Sequence, residues 1–420
     1  MLVSRTLQSG LRLQCVHLPE SNVVTVMILV GAGSRYETKE NTGISHFLEH
    51  MFFKGAKRYP TPQAVAEAVD SFGGEFNAFT GKEYAGYFIT CSGRSVGKAV
   101  EVLSDMLLHS TMQTPEVERE RGVILQEMAM YEDAPMYQIS WDFEQLLYGD
   151  QPLGWDQIGS KAVVGGMTRE QLLHYREALY TPDNMVLCIA GGTPPEEALS
   201  LLEESFPLEQ RPATLQPTRY NPALSTKKLL LRHKKTEQYH LAFGVRGYAE
   251  TDPRYTAQEV LSVILGGNMS SRMFQRIREQ RSLCYSIHTQ SDEYTDTSLL
   301  CTTVGVAPER AMEAIAAVRD EYAAVVESGI TAAELTKARS YLLGTLDLKR
   351  DQPYNNAHRY SAYMLLYGTV QTWEDYAAKI DAVTQQDVEA VARELLTPEA
   401  YRLAGIGKAL EEDAVGALLA

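Results

Sequence analysis

The chain has 420 residues, too many for one ordinary core and enough for two domains of about 200 residues each. Hydrophobic residues make up 45% and charged residues 22%, the balance of a soluble globular protein rather than a fibrous or disordered one. A net charge of -15 excludes nucleic acid and anionic membrane surfaces as the main partner and leaves room for a basic peptide.

Residues 1–10 lack a basic start, an apolar stretch and a small-residue cleavage site, so no secretory signal is expected. No run approaches the roughly 18 apolar residues of a membrane helix. Cys15, Cys91, Cys188, Cys284 and Cys301 are odd in number and scattered without metal-ligand spacing, which points to free thiols in a reducing cytoplasm. Apolar runs at 11–17 and 23–30, interrupted at 19–22, predict a two-stranded hairpin. Thr61-Pro62 and Gly73-Gly74 frame a helix, and strands are predicted at 75–79 and 87–90. Pro207, Pro212, Pro217 and Pro222 mark an extended linker.

Beyond the linker the sequence echoes itself. Leu146-Leu147-Tyr148-Gly149 recurs as Leu365-Leu366-Tyr367-Gly368, an offset of 219. Thr168, before a helix ending near Thr181-Pro182, recurs as Thr384 before one ending near Thr397-Pro398, and the helix opened by Thr114 recurs at Thr331. So steady an offset reads as a duplication. The expected architecture is α+β: two homologous domains, 1–206 and 223–420, joined by the linker 207–222, each a mostly antiparallel sheet packed with helices.

The first half also carries an HxxEH string, His46-Phe47-Leu48-Glu49-His50. Histidines four apart on a helix share a face, so both imidazoles can reach one ion, with the glutamate beside them. The order is the reverse of the commoner HExxH. Histidines on an amphipathic helix are also ordinary structural residues, and Phe47, Leu48, Met51 and Phe52 suit a core helix equally well, so a third ligand is required. The segment opened by Thr114-Pro115 offers Glu127, an acid after the apolar Val123-Ile124-Leu125, with Glu120 two helical turns earlier on the same face, placed to hold a ligating histidine. Glu120 alone reads equally as a solvated acid. In the second half these positions fall at Lys337 and Gly344, and the region matching the motif reads Ala257-Gln258-Glu259-Val260-Leu261-Ser262, so the metal chemistry belongs to the first half.

Gly43-Ile44-Ser45-His46 through Phe53-Lys54-Gly55, followed by Glu127, resembles the pitrilysin and insulinase family of inverted zinc peptidases, on the branch that holds the mitochondrial processing peptidase β subunit and its small bacterial relatives. The resemblance spans essentially the whole chain. It implies one Zn2+ per chain on His46, His50 and Glu127, Glu49 as general base and Glu120 as support. Phe76-Asn77-Ala78-Phe79-Thr80 is similar to the family's edge strand, which pairs with an extended peptide, so Asn77 and Ala78 are substrate-binding candidates. The run Gly266 to Tyr285 is similar to the second-half signature, whose arginine and tyrosine map to Arg278 and Tyr285, with Arg281 a competitor for the arginine. Without the resemblance, Tyr285 would read as a core strand aromatic.

The expected reaction is hydrolysis of a peptide bond by metal-activated water, with Glu49 taking the water proton and returning it to the leaving amine. Tyr285 and Arg278 would stabilise the oxyanion. Larger relatives join four such domains, so a two-domain chain implies a homodimer in which the zinc site of one copy meets Arg278 and Tyr285 of the other. Two rival readings stand beside this one: a non-catalytic assembly or peptide-binding subunit of the same family, and a hydrolase acting on a non-peptide amide.

Overall fold

The computed structural model describes residues 1–419. They fall into two compact units, the first formed by Met1–Met128, Asp156–Thr218 and Asp347–Trp373, the second by Ala129–Trp155, Arg219–Leu346 and the chain from Glu374 onward.

The first unit is built on a six-stranded sheet of β1 (Leu2–Thr6), β2 (Arg12–His17), β3 (Val23–Val30), β4 (Glu75–Thr80), β5 (Ala85–Ser92) and β6 (Met185–Gly191), in the order β1-β2-β6-β3-β5-β4. The predicted hairpin of residues 11–17 and 23–30 does not form, although both strands do. The fully buried β6 lies between them, parallel to β2 with Leu13 opposite Leu187 and antiparallel to β3 with Val26 opposite Ile189. The run 23–30 is apolar almost throughout rather than alternating, the mark of an interior strand that needs a neighbour on each side, whereas 11–17 alternates from Leu11 to Cys15. That neighbour comes from more than 150 residues away along the sequence.

The second unit repeats the plan with β7 (Leu229–His233), β8 (Tyr239–Gly247), β9 (Cys284–Glu293), β10 (Ser298–Val306) and β11 (Arg402–Gly407), in the order β7-β11-β8-β10-β9. Its one parallel pair, β7 with β11, echoes β2 with β6. The echoed helix starts are equally faithful. Thr168 and Thr384 each close a capping box, with Gln171 and Asp387 as the reciprocal partners.

The packed units differ from the continuous halves 1–206 and 223–420 expected from the sequence. Helix Pro135–Tyr148, which ends in the first Leu-Leu-Tyr-Gly, belongs to the second unit, where it packs on β8 and β11 and buries Ile139, Phe143, Leu146 and Leu147. Helix Pro353–Tyr367, which ends in the second copy, belongs to the first unit and packs on β3 and β6. The duplicated strings therefore close two helices that exchange places. Helical periodicity states that a face is buried but not which sheet buries it.

Side chains alternate along a strand, and in the first unit this alternation positions the candidate site. On β4, Thr80 and Phe76 face the helix Ile44–Phe52 and its end, with Thr80 bonded to Glu49 and Phe76 against Phe53. Phe79 faces the other way, 5.6 Å from the ring of His358 on the incoming helix. At the end of the sheet, β4 leaves one edge unpaired among the described strands. No helix among the described residues is long and apolar enough to cross a membrane.

Candidate metal centre

Helix Ile44–Phe52 carries the HxxEH string, and its start is fixed by a buried acid. Glu37 accepts hydrogen bonds from the N–H groups of Gly43 at 2.8 Å and Ser45 at 3.0 Å, satisfying donors that have no partner within the helix. Gly43 sits at φ +89°, where a Cβ would stand 2.5 Å from the Ile158 carbonyl oxygen, so the tight entry demands glycine. Phe47, Leu48, Met51 and Phe52 form the buried face, with Phe52 5.2 Å from the ring of Tyr87 on β5. His46, Glu49 and His50 are left half-buried on the opposite face.

The long helix Thr114–Asp133 supplies the acids. Val117, Glu120, Ile124 and Met128 form its buried stripe, and Glu127 stands half-buried beside that stripe. Val123 is exposed, so Glu127 is singled out by its spacing from Glu120 more than by apolar sequence neighbours. The solvated reading of Glu120 fails, since its side chain is 4% exposed.

His46, His50 and Glu127 each offer a ligand atom within 4.8 Å of the others, and no other such group occurs among the described residues. Glu127 Oε2 is 3.8 Å from His46 Nε2 and 3.6 Å from His50 Nε2, beyond hydrogen-bonding reach. Ligand atoms around a tetrahedral zinc stand about 3.3 Å apart, given bonds of about 2.0 Å, so the three atoms have the spacing of a metal cradle before any ion draws them in. His46 Nδ1 is buried and makes no hydrogen bond, so Nε2, the nitrogen facing Glu127, is the one placed to ligate. Burial, with His50 nearby, pushes the His46 pKa down to about 3, so its imidazole is neutral at physiological pH, the form that ligates. The residues present fit a divalent metal.

Two contacts orient the group. Glu120 Oε2 accepts a hydrogen bond from His50 Nδ1 at 3.1 Å, which leaves the Nε2 lone pair turned toward Glu127. Burial pushes the Glu120 carboxyl up, but the bonds from His50 and Lys54 outweigh it and hold the pKa below the usual carboxylate range. Glu49 shifts the other way. Burial raises its pKa, opposed in part by the hydroxyl of Thr80, which donates to Oε2.

Thr80 and Lys54 were not singled out by the sequence reading, and both had a signal. Lys54 follows His46 and His50 at intervals of eight and four, one helical face, and Thr80 follows Ala78 by two along a strand. Lys54 Nζ lies 2.8 Å from Glu120 Oε1.

Asn77 and Ala78 lie on the edge strand β4, where the Ala78 N–H donates to Asn77 Oδ1 at 2.9 Å. In the second unit, Arg278 sits in a π-helical turn, Phe274–Glu279, its guanidinium 4.4 Å from the Phe274 ring and 5.6 Å from the Tyr285 ring. Tyr285 is not a core aromatic: it is the second residue of the edge strand β9 and is 79% exposed. Arg281 is tied to Glu313 at 2.9 Å, whereas the nearest carboxylate of Arg278, Glu279, is 3.8 Å away. Burial pushes the Cys284 thiol up to about 11, so it carries no thiolate at neutral pH.

Known proteins share this arrangement of chain. The family model of the insulinase family, peptidase family M16, matches residues 13–153, and the model described as the peptidase M16 inactive domain matches 166–342, a range that contains none of His46, His50 and Glu127. The chain is 33% identical to the uncharacterized zinc protease YmxG of Bacillus subtilis, over 96% of this chain and 98% of that protein. It is 35% identical to an uncharacterized zinc protease of Mycobacterium tuberculosis, over 93% and 90%. Its fold is that of a protease from Helicobacter pylori (TM-score 0.87, 22% identity, 97% and 99% covered). It is likewise that of a Pseudomonas fluorescens structure described as a peptidase M16 inactive domain (TM-score 0.90, 18% identity, 98% of each). The chain belongs to the insulinase family of peptidases, family M16.

Proposed function

We propose that the chain is a zinc metalloendopeptidase that cleaves short or unfolded peptides bound as an extended strand. The observation that carries this reading is the convergence of His46, His50 and Glu127 on one point, with Glu49 a single residue from the second histidine. Zinc held by the three side chains supplies Lewis acidity, acidifying water and polarising the scissile carbonyl. Glu49 takes the proton of the attacking water and delivers it to the leaving amine, and a carboxyl raised by burial suits both transfers. Its partner Thr80 lies on β4, so the strand whose free edge would receive the peptide also holds the base. Glu120 keeps His50 in the tautomer that ligates.

Arg278 and Tyr285 are assigned to the substrate and the developing oxyanion. Their support is chemical: an exposed phenol and a guanidinium whose ion pair, to Glu279, is a long 3.8 Å are the donors such a centre needs. One chain carries both signatures, so a homodimer with shared sites is sufficient. Mixing Glu49→Gln and Arg278→Ala subunits should restore cleavage in the hybrid. No recovery in dimers shown to exchange would remove the shared site. Metal analysis of the purified protein, with cleavage of unrelated peptides and small amides measured with and without chelator, tests the activity itself. Cleavage of small amides alone would replace the peptide with another substrate class, and a metal-loaded protein inert toward every substrate would favour a non-catalytic peptide-binding role.

A further inference from the structure

We propose that Lys54 is a positioning residue of the metal centre, acting through Glu120 to fix the ring of His50. The inference rests on reading His46, His50 and Glu127 as metal ligands and is independent of the reaction that follows.

Lys54 is held from both ends. Its N–H donates to the Met51 carbonyl at 3.2 Å as the motif helix closes, and the chain then turns at Gly55, φ +117°, where a Cβ would stand 2.4 Å from the Pro60 carbonyl oxygen. The lysine backbone is thus pinned just past the end of the motif helix, four residues beyond His50. Its side chain is 23% exposed and ends 2.8 Å from Glu120 Oε1, while Glu120 Oε2 takes the His50 Nδ1 hydrogen at 3.1 Å.

The two oxygens of one carboxylate are therefore divided between a lysine and a histidine that stand four residues apart. A carboxylate held at a single oxygen can still swing about its terminal bond. Held at both, it has one plane, and that plane aims Oε2 at Nδ1. The lone pair of Nε2 is then left facing Glu127 Oε2 at 3.6 Å. An ordinary surface lysine would contribute little to such a pair. Here the acid is 4% exposed, so little water reaches Oε1 to take the ammonium's place.

The test is zinc affinity by chelator competition, with no peptide present, for the full-length wild type, Lys54→Met, Lys54→Arg, Glu120→Ala and Lys54→Met combined with Glu120→Ala. Removing Glu120 should weaken zinc about 10- to 100-fold, the usual effect of losing a ligand's outer partner, and Lys54→Met about tenfold, with Lys54→Arg restoring most of it. In the double variant the lysine change should add nothing, because its target is gone. Nitrogen-15 correlation spectra of zinc-free protein should show His50 protonated at Nδ1 in the wild type and in Lys54→Arg, with that preference lost in Lys54→Met. If Lys54→Met does not fold, Lys54→Gln takes its place. Affinity within twofold of wild type in the lysine variant, or a full extra loss in the double variant, overturns the proposal. Wild type that takes up no zinc removes both this proposal and the peptidase reading. Wild type that binds zinc tightly and cleaves nothing removes the peptidase reading alone.

Discussion

Replacing Thr80 with valine takes away one hydroxyl at nearly constant volume, and that hydroxyl donates to Oε2 of Glu49. A hydrogen bond to a charged acceptor contributes about 1.5–3 kcal/mol, and the part of it that serves to position Glu49 in the transition state lowers kcat/KM by at most roughly 10- to 150-fold when lost. Water entering beside the half-buried carboxylate would recover part of it, so the lower end is expected. The direction of the pH effect follows from the same bond. It opposes the burial that raises the Glu49 pKa, so its removal raises the pKa further. A base must be ionised to act, and the acidic limb of the kcat/KM profile therefore moves to higher pH in Thr80→Val. Thr80 touches none of the three ligands, so zinc content should not change. The assay is cleavage of an internally quenched peptide from pH 5 to 9, with zinc measured on the same preparations. An unmoved acidic limb with a rate within twofold of wild type would show that Thr80 does not hold the base, and lost zinc would show that it supports the metal instead.

Glu83→Gln should destabilise the protein by about 3–5 kcal/mol in denaturant titrations, because it leaves the guanidinium of Arg35, 1% exposed, without its carboxylate at 2.8 Å; a loss under 1 kcal/mol would mean that water or the remaining partners satisfy it. Burial pushes Asp292 from 3.8 up to about 6, so the folded state binds the proton more tightly than the unfolded chain, and stability falls as pH rises from about 4 to 6. Asp292→Asn should flatten that slope and raise stability at pH 7 by on the order of 2–3 kcal/mol; an unchanged slope contradicts the assignment. Phe143→Ala should cost about 3–5 kcal/mol, since Phe143 is buried in the cluster formed with β8 and β11, and a small loss would mean that the helix Pro135–Tyr148 is peripheral to that unit.

Local rules carried far along this chain. Thr61, Thr168 and Thr384 cap helices where predicted, and both Leu-Leu-Tyr-Gly strings end helices at a glycine of positive φ. The spacing of His46, His50, Glu120 and Glu127 was legible because helical geometry places residues four and seven apart on one face. What stayed hidden depends on pairing across long separations. Nothing near residues 11–30 announces that β6 will lie between β2 and β3, and nothing in the helix Pro353–Tyr367 names the sheet it covers. Thr80 and Lys54 stood at readable spacings, but their partners Glu49 and Glu120 lie on other elements and their residue types are common on any surface, so spacing alone did not single them out.

The central claim is that His46, His50 and Glu127 hold a catalytic zinc served by Glu49. Its most direct test is to load wild type and Glu49→Gln with zinc to the same content and follow an unfolded peptide by mass spectrometry. The account predicts about one zinc per chain in both proteins, internal cleavage by the wild type alone, and loss of that cleavage on chelation. A Glu49→Gln protein that cleaves as fast as the wild type would contradict it.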